Sequence, residues 1–151
     1  MFHDWLNQPG YLTLFAVSFL ASTILPLGSE WLLVMMLAGG FQPASSVSVA
    51  TVGNCLGAVT TYLIGVYGGR WMVERLLRVS PDQQERARGY YSRFGVYSLL
   101  FSWLPVIGDP LCLVAGVLRV RFWLFLLLVA IGKGVRYAGV AWATLHAVAA
   151  P

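Results

Sequence analysis

The chain has 151 residues, 58% of them hydrophobic and 11% charged, with a mean hydropathy of +0.73; a soluble domain of this length would need far more polar surface to cover its core. What remains is an all-α integral membrane protein, expected to be a single domain over residues 1–151. The net charge of +4 forms no basic stripe interleaved with aromatics, so no nucleic-acid partner is expected and the charge bears on orientation in the bilayer instead.

In chain order, the opening MFHDWLNQPG carries no Lys or Arg and lacks the charged start of a secretory signal peptide. The first apolar block, residues 11–41, is broken near its middle by Pro26, Gly28, Ser29 and Glu30. Residues 46–69 follow as a full span of 24, interrupted only by Asn54. Residues 70–93 are polar and arginine-rich, and read as an amphipathic surface segment held on anionic headgroups, with Trp71, Leu76 and Leu77 dipping inward. Within it, Ser80-Pro81-Asp82-Gln83 predicts a helix start: serine as N-cap, proline as first helical residue, glutamine as the reciprocal partner of a capping box. The third block, 96–118, is broken by Pro105, Gly108, Asp109 and Pro110, and 122–148 is a second full span carrying Lys133 and Arg136.

The broken blocks are too short for two spans each. Crossing ~30 Å of hydrocarbon takes roughly 20 residues, whereas 11–25 offers 15 and 96–104 offers 9. Each is therefore expected to be a re-entrant helical hairpin with its turn at Pro26-Gly28 or Pro105-Gly108. Non-helical turns persist at membrane depth only where protein buries them or water reaches them.

Sliding the sequence against itself by 79 residues lays Leu25-Pro26 on Leu104-Pro105, Glu30 on Asp109, Leu32 on Leu111 and Gly53 on Gly132. Asn54 then falls on Lys133 and Gly57 on Arg136. Repeat one covers 12–69, the linker 70–93 and repeat two 94–148, each repeat a hairpin followed by one span. One span per repeat starts the second on the opposite face, so the repeats are expected to be inverted, as in transporters with midplane sites made of broken helices. The same parity puts Arg70, Arg75, Arg78, Arg86, Arg88, Arg93, Arg119 and Arg121 on one side, which the positive-inside rule makes cytoplasmic, with both termini outside.

Four ionisable groups are left at membrane depth: Glu30, Asp109, Lys133 and Arg136. Each would cost about 2.5–3.5 kcal/mol or more facing lipid, so a shared buried centre is expected, with Asn54 beside them. Lys133 and Arg136 share a helix face at i,i+3. Two readings stay open. The charges can be a structural ion-pair cluster that holds the hairpins down. Alternatively they form a substrate or proton site, where inward helix N-termini and two cations suit an anion and a desolvated carboxylate serves as proton carrier. Arg119 and Arg121 read as snorkelling interface anchors, Cys55 and Cys112 as packing residues, and His3 and His146 suggest no ligand set, so no metal or cofactor is expected. Trp103, Trp123 and Trp142 fit either an interface belt or packing.

These residues resemble the DedA family (SNARE-associated, or VTT, domain), particularly its short YqaA-like branch. The likeness is carried by "LPLGSEWLL", by the small-residue span "GNCLGAVTTYLIG", and by "YSRFGVYSLLFSWLPVIGDPLCLVAGVLRVRF" leading into "GKGVRY". It covers about residues 12–142, and the spacing from Pro105 to Ala115-Gly116 is its more specific part. Larger family members look to have an acid where this chain has Ala58, and arginines where it has Ser102 and Gly108; Asp109, Lys133 and Arg136 would replace that pattern. The resemblance implies lipid traffic: translocation of polyprenyl phosphate carriers across the bacterial inner membrane, coupled to protons or ions, and phospholipid scrambling in eukaryotic relatives.

The expectation is thus a multi-pass inner-membrane transporter, not an enzyme, that flips a lipid phosphate with protons or cations as coupling ion. Its partners would be membrane lipids, and self-association is expected because so small a bundle leaves much lipid-facing surface. Two alternatives compete. "IGDPL" holds a Gly-Asp pair of the sort intramembrane aspartyl hydrolases use, with Glu30 as second acid, although a dyad beside two cations would not share a proton. A structural assembly subunit would use the same charges merely to pin the fold.

Overall fold

Two apolar runs without an internal proline become the two long helices. In the computed structural model, which describes residues 9–23, 29–68, 80–104 and 107–150, α3 is Pro43–Tyr67 and α6 is Phe122–Ala149. Both are long and apolar enough to cross a membrane. α3 starts on Pro43, where the missing N–H would have been unpaired in any case. α1 (Pro9–Ala21) and α2 (Ser29–Ala38) precede it. α4 (Pro81–Phe94), a 3-10 helix (Gly95–Trp103) and α5 (Gly108–Val117) lie between the long helices. There is no strand among the described residues.

The capping box is as expected. Ser80 Oγ accepts from the Gln83 N–H at 3.3 Å, and Gln83 Oε1 accepts from the Ser80 N–H at 3.0 Å. α4 buries only Ala87, as suits a surface helix, and ends at Gly95, whose φ of 62° is costly for a side chain bearing Cβ. The rest of the predicted surface segment, with Trp71, Leu76 and Leu77, lies outside the described residues, as do Pro26, Gly28 and Pro105. Gly108 stands where the chain passes into α5, as its first residue, with its N–H donating to the Leu104 carbonyl oxygen at 2.9 Å. A Cβ there would sit 2.1 Å from the Ser102 carbonyl oxygen. Close packing, not backbone freedom, selects glycine at that position.

The first limb of the second broken block is a 3-10 helix of nine residues, long for that type. At ~2.0 Å per residue it reaches ~18 Å where an α-helix would reach ~13.5 Å, so a short segment covers more of α6. The element bounds keep the 79-residue offset: α2 starts at 29 and α5 at 108, both ten residues long, while α3 starts at 43 and α6 at 122.

Packing follows the same pairing. α1 packs on α3 and the 3-10 helix on α6, each short element on the long helix that follows it in sequence. α2 packs on α6 and α5 on α3, each across to the other half. Glycines allow these approaches. A Cβ on Gly57 would lie 2.5 Å from the Phe19 carbonyl oxygen on α1, and Gly65 and Gly116 bring α3 and α5 together in the same way. Two apolar cores result. One gathers Tyr11, Leu14, Leu33, Leu37 and Tyr137; the other gathers Tyr62, Leu99, Leu111, Phe125 and Val129. Between them lies a layer of Ser22, Ser29, Asn54 and Lys133, all buried.

Candidate functional site

The site forms where two short helices begin. α2 starts at Ser29 with Glu30 in its first turn, and α5 starts at Gly108 with Asp109 in its first turn. Carboxylates in that position complement the partial positive charge of a helix N-terminus. α6 supplies Lys133, Arg136 and Tyr137, one face at spacings of three and four, and α3 supplies Asn54.

Lys133 is enclosed, its side chain 5% exposed. Its ammonium donates to Ser22 Oγ at 2.7 Å and to Asn54 Oδ1, and it pairs with Asp109 Oδ1 at 3.5 Å. An ammonium has three N–H donors, so every one faces an oxygen. Ser22 Oγ in turn donates to Asp109 Oδ1 at 3.1 Å. On the other side, Asn54 Nδ2 donates to Tyr137 Oη at 2.6 Å, and the Tyr137 and Ser29 hydroxyls share a bond of 2.8 Å. One network therefore runs from the start of α5 through Lys133 to the start of α2.

Arg136 is placed differently. Its guanidinium pairs with Glu30 Oε1 and donates to the Trp103 carbonyl oxygen at 2.8 Å. The side chain is 23% exposed, and of its five N–H donors these two contacts use two among the described residues. Glu30, Asp109, Lys133, Arg136 and Asn54 all line one cleft, with Ser29, Ser102 and Tyr137. Its free volume is about 20 Å³, room for roughly one water molecule. All five predicted site residues thus meet, and the two acids divide between the two cations.

The VTT domain profile matches residues 8–144. The chain belongs to the VTT-domain, or DedA, family. This family member is 42% identical over 135 residues to the inner membrane protein YqaA of Escherichia coli (strain K12), an alignment covering 89% of this chain and 90% of that one. An uncharacterized protein of Haemophilus influenzae is 37% identical over 89% of this chain and 87% of its own length. The uncharacterized membrane protein YkoX of Bacillus subtilis is 27% identical over 80% of this chain and 55% of its own. No solved structure matches significantly.

Four polar residues of this VTT domain were not singled out from sequence as site residues: Ser22, Ser29, Ser102 and Tyr137. At the 79-residue offset Ser22 and Ser102 fall on Phe101 and Thr23, Ser29 on Gly108, and Tyr137 on Ala58. No charged or amide counterpart marks them, and a lone serine or tyrosine in an apolar run carries little signal. Cys55 and Cys112 are buried, unbridged members of one apolar core, and Trp103, Trp123 and Trp142 all face outward.

Proposed function

We propose that this protein is a multi-pass transporter of the bacterial inner membrane that moves a lipid phosphate, a polyprenyl phosphate or phospholipid, between leaflets. One observation carries the reading: four ionisable side chains line a single cleft in a chain whose two long helices expose apolar residues on their outer faces. Intramembrane charge is costly and concentrates where substrates or ions pass. Two helix N-termini and a cation with unused donors suit a phosphate. The acids provide carriers for a coupling proton or cation.

In this reading α1–α2 and the 3-10 helix–α5 pair are re-entrant hairpins, and the two halves are inverted about an axis in the membrane plane. The bond between Asn54 and Lys133 supports that relation. These are counterparts at the 79-residue offset, and a residue touches its counterpart where a two-fold axis passes between them. The exchange of α2 and α5 between the long helices fits the same axis. The arginines of α4 then lie on the cytoplasmic side. Inner-membrane residence agrees with the E. coli relative. A transporter is favoured over an aspartyl hydrolase because Glu30 and Asp109 each engage a different cation, whereas a catalytic dyad shares one proton between facing carboxylates.

The test is reconstitution of the full chain in proteoliposomes with labelled phospholipid or labelled polyprenyl phosphate, with and without a pH gradient. Transfer above that of empty vesicles, accelerated by the gradient, is the expected result. Protein that neither moves nor binds either lipid would end the proposal.

A further inference from the structure

The cleft has an apolar neighbour. Between the 3-10 helix and the outer face of α6 runs a groove of about 570 Å³, within the roughly 300–1,000 Å³ typical of ligand sites. Leu100 and Trp103 form one wall, while Ile131, Val135 and Ala143 form the other. Gly139 leaves the floor open, since a Cβ there would meet nothing within 4 Å. Val135 is 69% exposed, so the groove opens outward, to hydrocarbon in a bilayer.

Arg136 lines both the groove and the polar cleft. Ser102 marks the same junction. It lines the cleft, and its Oγ would stand 3.2 Å from a Cβ on Gly132, which lines the groove. That hydroxyl is buried and has no hydrogen-bond partner among the described residues, an arrangement that is uncommon and costly unless something completes it.

We infer that the groove is a lateral berth for one hydrocarbon chain of a lipid phosphate, with the phosphate held by the unused N–H groups of Arg136 and by the Ser102 hydroxyl. The inference rests on the lipid-phosphate reading above and names the route to its site. Charge complementarity selects this occupant. A free phosphate would leave the apolar walls empty, and a neutral lipid or an apolar helix of a second copy would leave the Arg136 donors and Ser102 Oγ unmet. The tail stays in the bilayer while the headgroup turns inward, so the hydrocarbon never crosses the polar layer.

The experiment uses the full chain in proteoliposomes with two probes carrying a diazirine on the hydrocarbon chain, phosphatidic acid and polyprenyl phosphate. Label is expected on Ile131, Val135 and Ala143 above the level on Leu127, an exposed α6 residue outside the groove, and whichever probe gives it identifies the lipid source. Gly139→Leu fills the groove with a better helix former and is expected to slow transfer by about tenfold at unchanged thermal stability. Val135→Trp is expected to act likewise and Leu127→Trp to have no effect. If wild type moves lipid and both groove variants move it equally well, or if Leu127 is labelled as strongly, the groove inference is overturned and the lipid reading survives. Cross-linking through Val135 to a second copy would overturn it in favour of a subunit contact. Wild-type protein that moves neither lipid would remove the reading and this inference together.

Discussion

Lys133 and Arg136 sit one helical turn apart on α6, yet their surroundings differ in kind. Three donors of Lys133 meet three oxygens in a nearly closed shell, and nothing is left over for a ligand. Arg136 is four to five times more exposed and uses only part of its fork. Charge of one sign and near-equal depth therefore does two jobs. The lysine holds the turn after α1, with α3 and α5, to α6, while the arginine faces the junction of cleft and groove. A cation that is fully coordinated stabilises a fold; one with spare donors is available to something that arrives.

Removal of the enclosed cation should have the largest effect. Lys133→Met leaves Asp109 as an unpaired partly buried charge and strips Ser22 and Asn54 of a donor, a loss of about 3–5 kcal/mol. Thermal unfolding in detergent should show it as a large drop in midpoint, partly recovered in Lys133→Met/Asp109→Asn, where no lone charge remains. A Lys133→Met variant as stable as wild type would erase the distinction between the two cations.

Arg136→Gln tests the other side. Its partner Glu30 is about as enclosed as Asp109, so stability should fall by about 1–3 kcal/mol, less than at Lys133 because fewer bonds are lost. Lipid-phosphate binding should weaken by about 10- to 100-fold, the loss of one or two charge-assisted hydrogen bonds. Flotation with vesicles and leaflet-transfer rates measure this; a variant that transfers lipid normally but unfolds early would make Arg136 structural as well.

Two smaller perturbations sharpen the contrast. Gly57→Ala drives a Cβ into the Phe19 carbonyl and to 2.7 Å from Ser22 Cβ. It should cost about 1–3 kcal/mol and, by displacing Ser22, loosen Lys133 while leaving the Glu30–Arg136 pair intact; isotope-edited spectra of the two carboxylates would separate these outcomes. Tyr137→Phe removes the hydroxyl between Asn54 and Ser29 and should lower stability by about 1 kcal/mol without changing lipid binding. Equal losses in both assays would place Tyr137 at the ligand instead.

Much of this was legible from residue patterns because the cause is local. Apolar length set α3 and α6, each long and apolar enough to cross a membrane, because a helix satisfies its own backbone groups where water is absent. Ser80 and Gln83 capped α4 because a capping box involves backbone donors three residues apart. The cost of charge in lipid already required Glu30, Asp109, Lys133 and Arg136 to meet. Sequence could not decide which acid takes which cation, because the four lie on three helices and only their packing sets the distances. Nor could it mark Ser22, Ser29 or Tyr137, whose polarity is weak and whose counterparts in the other half are not polar partners. The 3-10 winding before α5 and the packing duty of Gly108 were equally hidden, because both answer to neighbours far along the chain. By itself the sequence determined an all-helical membrane protein with two long apolar helices and a charged centre. Only the tertiary structure decided that one cation is sealed and the other left open, because coordination is a property of the atoms brought around a side chain and not of the side chain.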